Sequence, residues 1–112
     1  MSTNLAKKAA TVRKSDVSTP LKGGALRKFK KQLGASWKLT RAGTQLERKF
    51  KFPDFRGALA FTNQIGKAAE KQGHHPDIVL AYGQVQVQLS THRVKGLTES
   101  DFILAAKINA LG

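Results

Sequence analysis

Residues 84–91 alternate without a break: Gln84, Gln86, Gln88 and Ser90 on one side, Val85, Val87, Leu89 and Thr91 on the other. Successive side chains of a strand point to opposite faces, so the run predicts a strand with one face in a core and one in water. A strand of that kind needs a sheet around it and a layer that covers a single face. Ile78 to Tyr82 predicts its hairpin partner across a turn at Gly83-Gln84. Trp37 to Leu39 and Thr44 to Phe52 read as two more strands joined at Arg41-Ala42-Gly43. In the second of these, Leu46, Phe50 and Phe52 share one face, and Gln45, Glu47, Lys49 and Lys51 share the other.

Three helices complete the pattern. Thr19-Pro20 reads as a hydroxyl cap followed by proline at the first helical position, with Leu21, Ala25, Phe29 and Leu33 as the apolar stripe and Gly34 as the stop. Asp54 caps a long helix from Phe55 to about Gln72, with Phe55, Leu59, Thr62, Ile65 and Ala69 at helical spacing and Gly73 as its end. Thr98 starts the last helix, Glu99 to Leu111, and Asp101 stands where a capping box has its acidic partner. That helix is apolar almost all round, and one stripe is the norm for a terminal helix. The excess is expected to be buried against another subunit. The order is α-β-β-α-β-β-α: an α+β domain over residues 19–112, with an antiparallel sheet and helices on one face.

Charge is unevenly spread. The net charge is +13, and residues 1–51 carry 14 Lys and Arg against only Asp16 and Glu47, while residues 52–112 are almost balanced. Met1 to Ser18 has few large apolar groups among Lys7, Lys8, Arg13 and Lys14 and reads as a flexible basic tail. A transit peptide fits less well, because Lys outnumbers Arg and the segment is short. The absence of cysteine excludes disulfides, thiolate metal sites and thiol nucleophiles. No apolar run is long enough to cross a bilayer, so no membrane partner is expected and a cytoplasmic protein is the default, with a nuclear or organellar pool open.

His74, His75 and His92 are the only histidines, and histidine is the side chain suited to proton transfer near neutral pH. His74 and His75 lie between a helix end and a strand, where Pro76 forces His75 into an extended conformation. His92 stands at the end of the last strand. Glu70 lies one helical turn before His74 and can orient an imidazole. A His-His-Pro turn is nevertheless more often a solvated connector than a site. Asp101 is accounted for by capping, and Trp37 and Tyr82 by core packing.

The stretch Glu70-x3-His74-His75-Pro76-x5-Tyr82-x9-His92-x8-Asp101 resembles the pterin-4a-carbinolamine dehydratase family. Trp37, the run Phe50-Lys51-Phe52-x-Asp54-Phe55 and the run Leu89-Ser90-Thr91-His92 extend the likeness. Two places depart from it: Gly73, where some members have an acid, and Gly34-Ala35-Ser36, which replaces a Pro-Gly-like turn. The resemblance implies a four-stranded antiparallel sheet, helices on one side, and a homotetramer built from two dimers. It implies dehydration of a 4a-hydroxytetrahydropterin to the quinonoid dihydropterin, with no cofactor and no metal. His74 and His92 would be the acid and base, and His75 would bind or orient the pterin. Glu70 and Asp101 would support them beside Pro76, and Trp37 would lie by the pocket.

Two rival readings belong to other classes. Some animal relatives serve as dimerisation cofactors of a homeodomain transcription factor, which makes such a partner an alternative. Direct nucleic-acid binding is not expected, since no helix-turn-helix, zinc-finger or RNA-recognition signature accompanies the basic half. A three-histidine zinc hydrolase is disfavoured because adjacent His74 and His75 point apart in an extended segment.

Overall fold

Val85, Val87 and Leu89 are fully buried, and Gln84, Gln86 and Gln88 between them are half-buried, as the alternation predicts. The computed structural model describes residues 19–111; the basic tail read over residues 1–18 lies outside them. In chain order the elements are α1 (Gly23–Leu33), β1 (Lys38–Thr40), β2 (Gln45–Lys51), α2 (Phe55–Gln72), β3 (Asp77–Ala81), β4 (Gln84–Leu89), a 3-10 turn at His92–Val94, and α3 (Glu99–Leu111). The sheet has four strands in the order β1-β2-β4-β3, and every neighbouring pair is antiparallel. Register puts Phe50 opposite Val85 and Leu46 opposite Leu89, and Val85 also faces Leu80. These side chains form the covered face. Glu47, Lys49 and Lys51 pair with the glutamines on the open face.

α2 begins and ends where its sequence signals stand. Asp54 Oδ1 accepts a hydrogen bond from the Gly57 N–H at 2.8 Å, and Gly73 closes the helix with a left-handed φ of 71°. Asp54→Ala should therefore cost about 1 kcal/mol, read from the urea unfolding midpoint. The buried stripe is rotated from expectation: it runs through Ala58, Phe61, Ile65, Ala69 and Gln72, and leaves Phe55 and Leu59 exposed. Phe61 sets the phase, with its ring 4.7 Å from Phe50 and 5.2 Å from Phe52 across the sheet.

α1 starts later than Thr19-Pro20 predicts. The Leu21 N–H donates to the Leu97 carbonyl at 2.7 Å, and Pro20 packs so tightly on Gly96 that an added Cβ there would come within 2.5 Å of it. A tertiary contact holds residues 20–22 outside the helix, so the proline has no capping role. Leu26, Phe29 and Leu33 face the core and Ala25 is exposed. The strand hairpin also shifts by one residue: its turn is Tyr82-Gly83, and Tyr82 is an exposed turn residue and not a core aromatic.

α3 corrects a larger expectation. Phe102, Ile103, Leu104, Ala105, Ala106 and Ile108 are all buried within this one chain. The helix packs against both α1 and α2, with the Phe29 and Phe102 rings 5.6 Å apart. It is the central helix of its layer, which is why it is apolar all round. No second subunit is needed to cover it.

Candidate active site

The end of α2 and the start of α3 meet beside the last turn of β4. Gly73 ends α2, and the His74 N–H bonds back to the Ala69 carbonyl at 3.2 Å, which turns the His74 side chain toward α3. Gln72 fastens the two helices, donating from Nε2 to the Ser100 carbonyl at 2.8 Å and to its hydroxyl at 3.0 Å. Nothing in the sequence pattern marked Gln72, because a glutamine in a final helical turn is ordinarily a surface residue.

Asp101 is the centre of the arrangement. It is fully buried at the third position of α3, and its Oδ2 accepts from the Thr98 N–H at 2.9 Å and the Thr91 hydroxyl at 2.7 Å. The first bond is the capping contact expected from sequence. Oδ1 accepts from His74 Nε2 at 2.5 Å. A carboxylate is acceptor-only, so this contact places the proton on Nε2 and leaves Nδ1 as the acceptor of the neutral ring. The Thr91 and Thr98 hydroxyls, 2.9 Å apart, complete the network. Burying a carboxylate is costly unless every oxygen is satisfied, and three donors meet that demand here.

His92 follows Thr91 directly and opens the 3-10 turn instead of ending β4, because Thr91 bridges to Gly96 and turns the chain back. It is exposed and lines a cleft of about 350 Å³ with Ser90, Thr91, Asp77, Gln88, Gln45, Arg41 and Lys95. One carboxylate thus links His74, through its ring, to the residue that precedes His92.

The other expected site residues are placed differently. Glu70 pairs with His75 and not with His74: Nε2 and Oε2 are 2.5 Å apart, both side chains mostly exposed. The helix ends between Glu70 and the histidines, and the turn at Gly73 exchanges which imidazole faces back. Pro76 is half-buried and leads into β3. Trp37 does not line the cleft. It is fully buried in the core, edge-on to Phe50, and its indole N–H donates to Asn109 Oδ1 at 2.8 Å. Arg48 donates to the same oxygen at 2.6 Å, and burial holds its guanidinium below the ordinary pKa. Among the described residues, no group of three or more His, Asp or Glu side chains is arranged to hold a metal, and no helix is long and apolar enough to cross a membrane.

His74 does not itself line the cleft; the arrangement can hold its imidazole in a fixed tautomer, joined through Asp101 and Thr91 to a polar cleft that carries a second. Residues 19–111 match the family model described as pterin 4 alpha carbinolamine dehydratase. A relative from Alkaliphilus metalliredigens, named among the pterin-4-alpha-carbinolamine dehydratases, is 47% identical over 90 residues, 80% of each chain. One of the same name from Rubrobacter xylanophilus is 45% identical over 92 residues, covering 82% of this chain and 84% of its own. The crystal structure of a transcriptional coactivator/pterin dehydratase from Brucella melitensis is similar at a TM-score of 0.75 and 34% identity, over 83% of this chain and 98% of that one. The chain belongs to the pterin-4a-carbinolamine dehydratase family, a family of hydro-lyases.

Proposed function

We propose that the protein dehydrates a 4a-hydroxytetrahydropterin to the quinonoid dihydropterin and water, with His74 and His92 as general acid and base, in the recycling of a tetrahydrobiopterin-type cofactor. The carbon that carries the hydroxyl also carries a ring nitrogen. The nitrogen lone pair forms the new C=N bond as the C–O bond breaks. The leaving oxygen gains one proton and the nitrogen loses one, so the step balances with water as its second product. Two positioned imidazoles meet both demands, and each group of this kind contributes roughly 10²- to 10⁴-fold.

The single observation that carries the reading is the His74–Asp101 contact, a buried carboxylate with its other oxygen already satisfied, next to the cleft that His92 lines. His74 is largely enclosed, with 15% of its side chain exposed; with Nε2 engaged by Asp101, Nδ1 is the ring atom that would exchange a proton with a bound molecule. The His75–Glu70 pair is solvent-exposed, where ion pairs are worth little. Its role is to help hold the ring: His75→Ala and Glu70→Ala should lower kcat/KM less than about tenfold, mostly through KM.

The test is the absorbance change of a chemically generated 4a-hydroxytetrahydropterin with and without enzyme, repeated after treatment with a metal chelator. Acceleration over buffer that survives the chelator is expected. A rate equal to buffer from folded protein contradicts the reading, and a rate abolished by chelation would make the dehydration metal-dependent and contradict the metal-free two-histidine reading. Self-association as a dimer or tetramer is a compatible second role, favoured by the exposed Phe55 and Leu59 on α2. The Brucella protein is called a transcriptional coactivator as well as a dehydratase, which favours testing a transcription-factor partner.

A further inference from the structure

The cleft beside His92 holds more positive charge than the dehydration uses. Arg41 and Lys95 line it too, and neither side chain has an ion-pair or hydrogen-bond partner among the described residues. Both sit on left-handed backbone, with φ of 51° and 56°, which disfavours any residue with a Cβ. Ala42 shares that strain in the β1–β2 turn. The chain thus keeps a long cationic side chain at two exposed points where glycine would suit the backbone better.

Opposite charge lies across the cleft. Asp77 opens β3, whereas Arg41 belongs to the turn before β2, and β4 runs between those strands. Two strand spacings, roughly 10 Å, separate the two sides. A carboxylate suits the amino and ring N–H donors of a pterin. Unpaired Arg41 on the far side, and Lys95 in the turn that follows β4, suit an anion, which charge-assisted hydrogen bonds would hold. The dehydration creates no such anion, so it must come from the rest of the substrate.

We propose that the cleft selects a pterin whose side chain carries an anionic group, a phosphate monoester or a carboxylate, held by Arg41 and Lys95 while Asp77 faces the donor edge of the ring. The identity of the ring rests on the dehydratase reading; the charge preference does not.

The test uses three stable fluorescent pterins with side chains of equal length ending in a hydroxyl, a phosphate monoester or a carboxylate. Their affinities are measured with wild type and with the Arg41→Gln, Lys95→Gln double variant. The 4a-hydroxy forms of the three are then followed for turnover. Wild type should favour at least one anionic pterin by roughly tenfold at low salt, the scale of a charge-assisted contact at a partly exposed site. The preference should shrink as salt is added and fall to near one in the double variant. The anion bound tighter identifies the substituent. Equal affinity of wild type for all three, or a preference the double variant retains, overturns the proposal. Charge preference without turnover would leave the anion site standing and remove the dehydratase reading. Turnover without preference would do the reverse.

Discussion

Asp101→Asn should lower kcat for pterin dehydration by roughly 10²- to 10⁴-fold, the contribution of one general acid or base. The substitution keeps size and shape but leaves one acceptor oxygen where there were two. The Thr98 N–H is a fixed donor, so the remaining oxygen must turn toward it and toward the Thr91 hydroxyl. The amide NH₂ then faces His74 Nε2, which has to become an acceptor and move its proton to Nδ1. The ring stays in place with the wrong atom protonated. If the amide turns the other way, its NH₂ meets the Thr98 N–H and a buried donor goes unpaired. That second orientation should also cost about 1–3 kcal/mol of stability. Kinetics and urea unfolding on one preparation separate the two losses, and a folded variant with near wild-type kcat would show that Asp101 serves only as a helix cap.

Phe102→Ala should cost about 3–5 kcal/mol, the usual loss for a large aromatic truncated in a core. That is a large share of the ~5–15 kcal/mol by which domains of this kind are stable. Phe102 is fully buried in the first turns of α3, and its ring lies 5.6 Å from Phe29 on α1. Its loss opens a space between helices, and no neighbouring backbone is free to fill it. Unfolding by urea at fixed protein concentration measures the effect. A loss below about 1 kcal/mol would mean that α3 is not the centre of the helical layer.

What was legible in the sequence follows from which interactions are local. The β4 alternation and the bounds of α2, with Asp54 at one end and Gly73 at the other, depend on period and capping within a few residues. They were readable for that reason. Thr19-Pro20 carries equally clear local chemistry, yet the Leu21–Leu97 bond and the Pro20–Gly96 contact override it from far along the chain. The phase of α2 was ambiguous because Phe55 and Leu59 compete with Ala58 and Phe61 as the first half of the same stripe. Only the rings on β2 and its extension decide between them. For α3 the pattern was right and its cause was not: an apolar helix needs cover on all sides, and two neighbouring helices of the same chain supply it.

The site divides in the same way. His74, His92 and Asp101 came from residue type and spacing, together with the family likeness. The partners did not. Glu70 lies at helical distance from His74, but the left-handed turn at Gly73 ends that geometry and gives it His75. Thr91, Gln72 and Asn109 act through contacts 10, 28 and 72 residues away in the chain, which no periodicity announces. Trp37 had two readings, core and pocket wall, and its full burial selects the first.

The most direct measurement is kcat for dehydration of a 4a-hydroxytetrahydropterin by wild type, His74→Ala and His92→Ala, each checked for native unfolding behaviour. The expected result is acceleration over buffer by wild type and a loss of roughly 10²-fold or more in each variant, with the fold intact. If both variants turn over at the wild-type rate, the two histidines do not carry the protons, and the His74–Asp101 pair is structural.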